Sequence, residues 1–110
     1  MTRLEAMVRD FAELLQKGRA LDAMEKYYAP EVTVFENRQL ARAGKARCLQ
    51  YERDALADQP TPPRFKVSKL AVDEVRGHVF LEYVVRFQSS SGRPQRLEEV
   101  AVQSWDGGLI

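Results

Sequence analysis

Few side chains in this chain have a type and spacing suited to chemistry, and most of these are carboxylates. Glu36 closes the run Val32-Thr33-Val34-Phe35, and Asn37 follows it. A carboxylate at a strand end facing an apolar cavity loses hydration of its charged form. That makes it a better proton acceptor and suits it to general-base work. The alternative is a carboxylate that caps a loop or pairs with a nearby arginine. Residues two apart on a strand share a face. Val32, Val34 and Glu36 therefore lie together, as do Leu97, Glu99, Ala101, Gln103 and Trp105 on a later strand.

Other chemistries are poorly supplied. Cys48 is the single cysteine and His78 the single histidine, so neither an intrachain disulfide nor a zinc site is expected. Cys48 has no base beside it in sequence and reads as inert. No cofactor is indicated. A net charge of +1, with lysine and arginine scattered among acids, lacks the basic stripe that nucleic acid attracts. No apolar run approaches the roughly 20 residues a bilayer needs, and the N-terminus lacks an apolar signal core. The expectation is a cytoplasmic protein with no nucleic-acid or membrane partner.

The elements that must position these residues follow from periodicity. Leu4, Met7, Val8, Phe11, Leu14 and Leu15 recur at helical spacing up to Gly18. Leu21, Met24 and Tyr28 repeat the pattern until Pro30 stops it. Val32 to Glu36 reads as a strand, and 37–43 as a polar loop. Gly44 opens a third helix to about Leu56, with Ala46, Leu49 and Leu56 as a weak apolar face. Gln59-Pro60-Thr61-Pro62-Pro63 marks a connection. Period two then takes over in Phe65–Val72, Val79–Phe87 and Leu97–Trp105, with turns at Arg76-Gly77-His78 and Ser89–Arg93. Asp106-Gly107-Gly108 turns the chain again into Leu109-Ile110. At 110 residues, helices first and a meander afterwards predict one α+β domain over 1–110.

This order resembles the nuclear transport factor two-like superfamily, in its SnoaL-like branch. Tyr28-Ala29-Pro30-Glu31-Val32-Thr33-Val34 looks like that family's passage from helix to strand, and Gly44-Lys45 resembles the glycine that opens its third helix. Glu98 through Gly108 resembles its closing hairpin, and similar proteins carry the pair seen here as Glu36-Asn37. The resemblance implies a cone-shaped, curved antiparallel sheet with about three helices on its concave face. Relatives usually run on through another strand, so the sheet is expected to be short at its C-terminal end. They also often cap the second helix with Asp, where Arg19 stands here and cannot cap.

In that family the pocket lies between the helices and the concave face. Glu36 then falls where ketosteroid isomerases keep their proton-shuttling carboxylate and is the catalytic candidate. Asn37, Glu99, Gln103 and Trp105 are the ligand-binding candidates. Each has a blander reading: Asn37 as a loop former, Glu99 as an ion pair with Arg96 or Arg86, Trp105 as core. The isomerase likeness stops at its oxyanion donors, because Phe11 stands at the tyrosine position and Ala101 near the aspartic acid position. Dehydratase chemistry of the scytalone kind needs pocket histidines, and His78 reads as a turn residue. Tyr27, Tyr51 and Tyr83 could donate hydroxyls, although aromatics at helical or strand spacing are more often core, while Arg42, Lys45, Arg47 and Arg53 read as a solvated face.

Three functions remain open. The chain is a binding domain for a small apolar or carbonyl-containing molecule, an isomerase or cyclase-type enzyme using Glu36, or a dimerising interaction domain. A homodimer is expected in any case. Val79, Leu81, Tyr83, Val85 and Phe87 are apolar on one face, and Phe80 and Val84 on the other, so both faces need cover.

Overall fold

The computed structural model describes residues 1–59 and 61–110, and Pro60 of the proline-rich connection lies outside them. Helix α1 spans Arg3–Gln16, α2 Ala20–Tyr27 and α3 Lys45–Ala57. Strands β1 (Thr33–Glu36) and β2 (Gln39–Ala43) form an antiparallel hairpin before α3. Strands β3 (Arg64–Asp73), β4 (His78–Gln88) and β5 (Pro94–Ser104) form an antiparallel meander after it. The architecture is α+β, with three helices and a curved antiparallel arrangement of five strands that does not close.

Local chemistry sets the boundaries. Thr2 caps α1 by accepting the Glu5 amide, as a side-chain oxygen at that position should. Gly18, at φ 76°, lets Arg19 N–H bond back to the Leu14 carbonyl and ends the helix. Arg19 makes no side-chain cap for α2, and its guanidinium pairs with Asp22 instead. Gly77 meets a double constraint. Its φ is +69°, and a Cβ there would lie 2.4 Å from the Trp105 carbonyl oxygen. Trp105 N–H in turn donates to the Gly77 carbonyl at 2.7 Å, so this turn locks the end of β5.

One stretch differs from its sequence reading. Residues 39–43, expected as loop, are β2. They lack period-two patterning because the hairpin lies largely in solvent, with Leu40 among its exposed residues. What forms the strand is its turn: Asn37 and Arg38 adopt positive φ of 51° and 67°, the backbone of a tight two-residue hairpin. Smaller shifts follow the same logic. His78 is the first residue of β4, opposite Ser104, and β5 starts at Pro94 because Gln88 and Pro94 pair across the turn.

Val8, Val79, Leu81 and Cys48 are the largest fully buried side chains. Each such burial is worth about 1.5–3 kcal/mol for a Val or Leu. Around Val8, Val79 and Leu81 the rings of Phe11, Tyr27 and Trp105 pack edge-on or tilted, with centroids 5.3–6.2 Å apart. A smaller cluster of Met24, Val32, Cys48 and Leu49 sits under α3. Ile110 packs against both clusters, and its backbone bonds to Tyr27 and Ala29 at 2.7 and 2.9 Å. It is thus held against the passage from α2 to β1. No helix among the described residues is long and apolar enough to cross a membrane.

Candidate functional site

A cavity of about 860 Å³, partly open to solvent, lies between the helices, the β1–β2 hairpin and the inner face of the meander. That volume suits a drug-sized molecule. Phe11, Leu15, Met24, Phe65, Leu81 and Val85 give it apolar walls. Strand alternation delivers Leu97, Glu99, Ala101, Gln103 and Trp105 to the same cavity, as their spacing implied.

Glu36 lies at the cavity mouth. Its carboxylate meets the Arg42 guanidinium at 2.9 Å, with the Glu36 side chain 60% exposed and that of Arg42 only 13%. This matches the ion-paired strand end of the two readings above. Arg42 is not part of a solvated face. Its guanidinium carbon lies over the Tyr51 ring, 4.0 Å from the ring centre, and the side chain lines the cavity. Asn37 occupies the hairpin turn, exposed and apart from the cavity walls.

Glu99 does not form the expected ion pair. Arg96 takes Glu98 on the opposite face of β5, and Glu99 accepts the Tyr83 hydroxyl at 2.6 Å. The register explains this, because Tyr83 and Glu99 are directly opposite on β4 and β5. Burial first, and then the Glu99 carboxylate, raise the Tyr83 phenol well above its ordinary value. The Trp105 indole N–H donates to the Gln103 side-chain oxygen at 2.9 Å, so one pocket candidate orients the other. Trp105 is both cavity wall and core. Of the other tyrosines, Tyr27 donates to Asp10 and ties α2 to α1, and Tyr51 carries Arg42.

Two groups in the cavity escaped the sequence reading. Tyr28, just past α2, is held with its phenol pushed up to about 12, chiefly by burial. Glu52, on α3, has its carboxyl raised by burial, against the pull of Arg42. Glu52 did leave a signal. It falls four residues after Cys48 and three after Leu49, on the stripe that continues to Leu56. A carboxylate in an apolar stripe points inward. Among the described residues, no group of three His, Cys, Asp or Glu side chains is placed to hold a metal ion.

A helical layer over a curved antiparallel sheet, with the cavity between them, defines the nuclear transport factor two-like class. Residues 8–110 match the family model of the SnoaL-like domain, and the chain belongs to that family. Among solved structures it is similar to an uncharacterised cystatin-fold protein of Novosphingobium aromaticivorans. The TM-score is 0.77 at 18% identity, covering 99% of this chain and 92% of the other. A nuclear transport factor two-like protein of unknown function from Burkholderia pseudomallei gives 0.79 at 16% identity, over 99% and 86%. A Mesorhizobium loti protein described as a SnoaL-like polyketide cyclase gives 0.67 at 21% identity, over 100% and 94%. At these identities the likeness is one of fold. Among curated proteins none matches the chain.

Proposed function

We propose that this domain binds a small, mostly apolar molecule in the cavity between its helices and its sheet. The observation that carries the reading is the cavity itself, about 860 Å³, with Phe11, Leu15, Met24, Phe65, Leu81 and Val85 among its apolar lining and a comparable share of polar side chains. An enzyme using Glu36 as base has less support. The carboxylate is mostly exposed and answered by Arg42, and water already solvates it. Phe11 and Ala101, both on the cavity wall, offer no donor to a developing oxyanion.

Nile red, a neutral dye that brightens in apolar surroundings, tests the binding reading. Wild type should bind it, and Ala101→Phe should lose it while melting cooperatively. Unchanged dye binding in that variant sinks the reading.

A second reading concerns the outer face of the meander. Phe80, Val100 and Val102 are 43%, 67% and 66% exposed there, and Phe80 pairs directly with Val102. One apolar patch of this kind on an antiparallel sheet supports a second copy packing face to face. Light scattering at tens of micromolar should show a dimer that Val102→Asp converts to monomer. A monomeric wild type ends this reading and leaves the cavity untouched.

A further inference from the structure

We propose that the outer face of the meander holds the phosphate chain of a small di- or triphosphate on a row of three arginines, Arg64, Arg86 and Arg96. None of the three belongs to the cavity wall, so this site is independent of the cavity.

Strand register builds the row. Arg64 of β3 is directly opposite Arg86 of β4, and Arg86 is directly opposite Arg96 of β5. Residues paired in this way share a face. The neighbouring row, Phe65, Val85 and Leu97, turns the other way and lines the cavity. Adjacent strands lie about 4.7–4.9 Å apart, so the three arginine α-carbons span about 10 Å. All three residues are exposed. The next row on this face sets Lys66 and Val84 beside Glu98, and Arg93 stands in the turn that follows β4.

Like charges directly opposite on neighbouring strands destabilise a sheet, and here that repulsion occurs twice in one row. The protein's own acids do not offset it. Glu98 takes Arg96 at 2.8 Å, but among the described residues no carboxylate pairs with Arg64 or Arg86. Protection of a sheet edge explains charge on β3 and β5. It does not explain Arg86, because β4 is the central strand of the meander. A bound anion turns the repulsion into attraction.

The chemistry of arginine selects the anion. Its planar, permanently charged fork matches phosphate oxygens two at a time. A lone carboxylate has two oxygens and one charge. A phosphate chain has several oxygens and more charge, and can bridge neighbouring forks. A nucleic-acid strand fits less well, because its backbone needs a continuous basic track. Along this face the cations give way to Lys69 beside Glu82, and then to Ala71, Phe80 and Val102.

Calorimetry at low salt with inorganic tripolyphosphate, pyrophosphate and orthophosphate tests the site. Affinity should rise with chain length, and tripolyphosphate should bind roughly tenfold tighter than orthophosphate. Arg86→Gln should weaken tripolyphosphate binding roughly tenfold, and Arg86→Lys, which keeps the charge without the fork, about threefold. Arg53→Gln removes the same charge from an exposed position on α3 and should leave binding unchanged. Without ligand, Arg86→Gln should melt no lower than wild type, since it relieves the repulsion. A lower melting temperature would show that protein contacts hold the row, and overturns the inference. Equal weakening by Arg86→Gln and Arg53→Gln reduces the effect to net charge and overturns it too, as does orthophosphate binding as tightly as tripolyphosphate. A thymidine oligonucleotide that binds as tightly as tripolyphosphate and is lost in Arg86→Gln overturns it in favour of nucleic acid. If Arg86→Gln changes the oligomeric state in light scattering and leaves tripolyphosphate binding intact, the row faces a second copy and the inference falls.

Discussion

The exposed and the half-buried parts of the cavity wall, here its mouth and its floor, each hold a glutamate near the same arginine, and they treat it differently. At the mouth, Glu36 is open to water and bonded directly to Arg42. On the floor, Glu52 feels Arg42 only through its field and is governed by burial. The two carboxylates share chemistry and neighbour, so solvent access decides between them. An ion pair with one exposed partner contributes little and needs little desolvation. A carboxyl withdrawn from water is pushed toward its neutral form, and that form has a proton to donate. Burial therefore perturbs Glu52, whereas sequence position alone drew attention to Glu36.

The contrast has a packing side, and the largest expected effect tests it. Trp105 bridges cavity and core and packs on Phe11 and Tyr27. Trp105→Ala should cost about 3–5 kcal/mol in denaturant melts. Phe35, equally aromatic but 60% exposed at the mouth, should change stability by about 0.5 kcal/mol or less on truncation to Ala. Similar losses at both positions would mean the mouth is as firmly built as the floor, and the comparison would fail.

Arg42 links the two regions, so its removal should affect both. Arg42→Ala takes away the partner of Glu36 and the stack on Tyr51, costing about 1 kcal/mol. It also removes the charge that holds Glu52 down. Carbon-detected titration of the Glu52 carboxyl should therefore move upward in the variant. No movement would show that Arg42 does not reach the floor.

Most of the fold was legible in the sequence, and the reasons are local. Leu4 through Leu15 wrote α1 in helical period, and the three long strands wrote themselves in period two. β2 escaped because all its residues but the partly buried Arg42 are exposed and carry no apolar pattern, so a turn geometry forms it. The site was half legible. Alternation placed Glu99, Gln103 and Trp105 on the cavity wall, since a pleat leaves no other choice. It could not say that Tyr83 would claim Glu99, which depends on cross-strand register. Arg42 was read as solvated because nothing local reveals that Tyr51, nine positions later on α3, brings a ring beneath it. Glu52 was missed because a weak apolar stripe hides an interrupting carboxylate.

Glu52 also carries a stability prediction smaller than those above. Its folded titration lies above its unfolded one because burial disfavours the charge. The protein should therefore lose stability as pH rises from the unfolded value toward the folded one, with the full penalty above both. Glu52→Gln removes that loss and should stabilise the protein near neutral pH by roughly 0.5–1 kcal/mol. Thermal melts at acidic and neutral pH read the difference. A variant less stable than wild type at neutral pH would mean that the ionised form is held by the protein after all.

Asp10 should show the opposite sign and the smallest effect. It lies on α1, accepts bonds from Lys26 and the Tyr27 hydroxyl, and stays largely in water. The Lys26 bond first, then Tyr27, hold its titration below the ordinary carboxylate value. A depressed folded value means that the ionised form stabilises the native state. That contribution is complete above the unfolded value and is lost as pH falls through the folded one. Glu52 and Asp10 thus pull stability in opposite directions across the acid range, one through lost hydration and the other through gained donors. Solvent screens the Lys26 pair, so Asp10→Asn should cost only about 0.5 kcal/mol at neutral pH. The amide oxygen can still accept from Tyr27, which keeps the loss small. In strong acid the variant and wild type should melt alike, because protonated Asp10 has already given up its charge. A deficit that persists unchanged into strong acid would show that the link between α1 and α2 depends on shape at this position and not on charge.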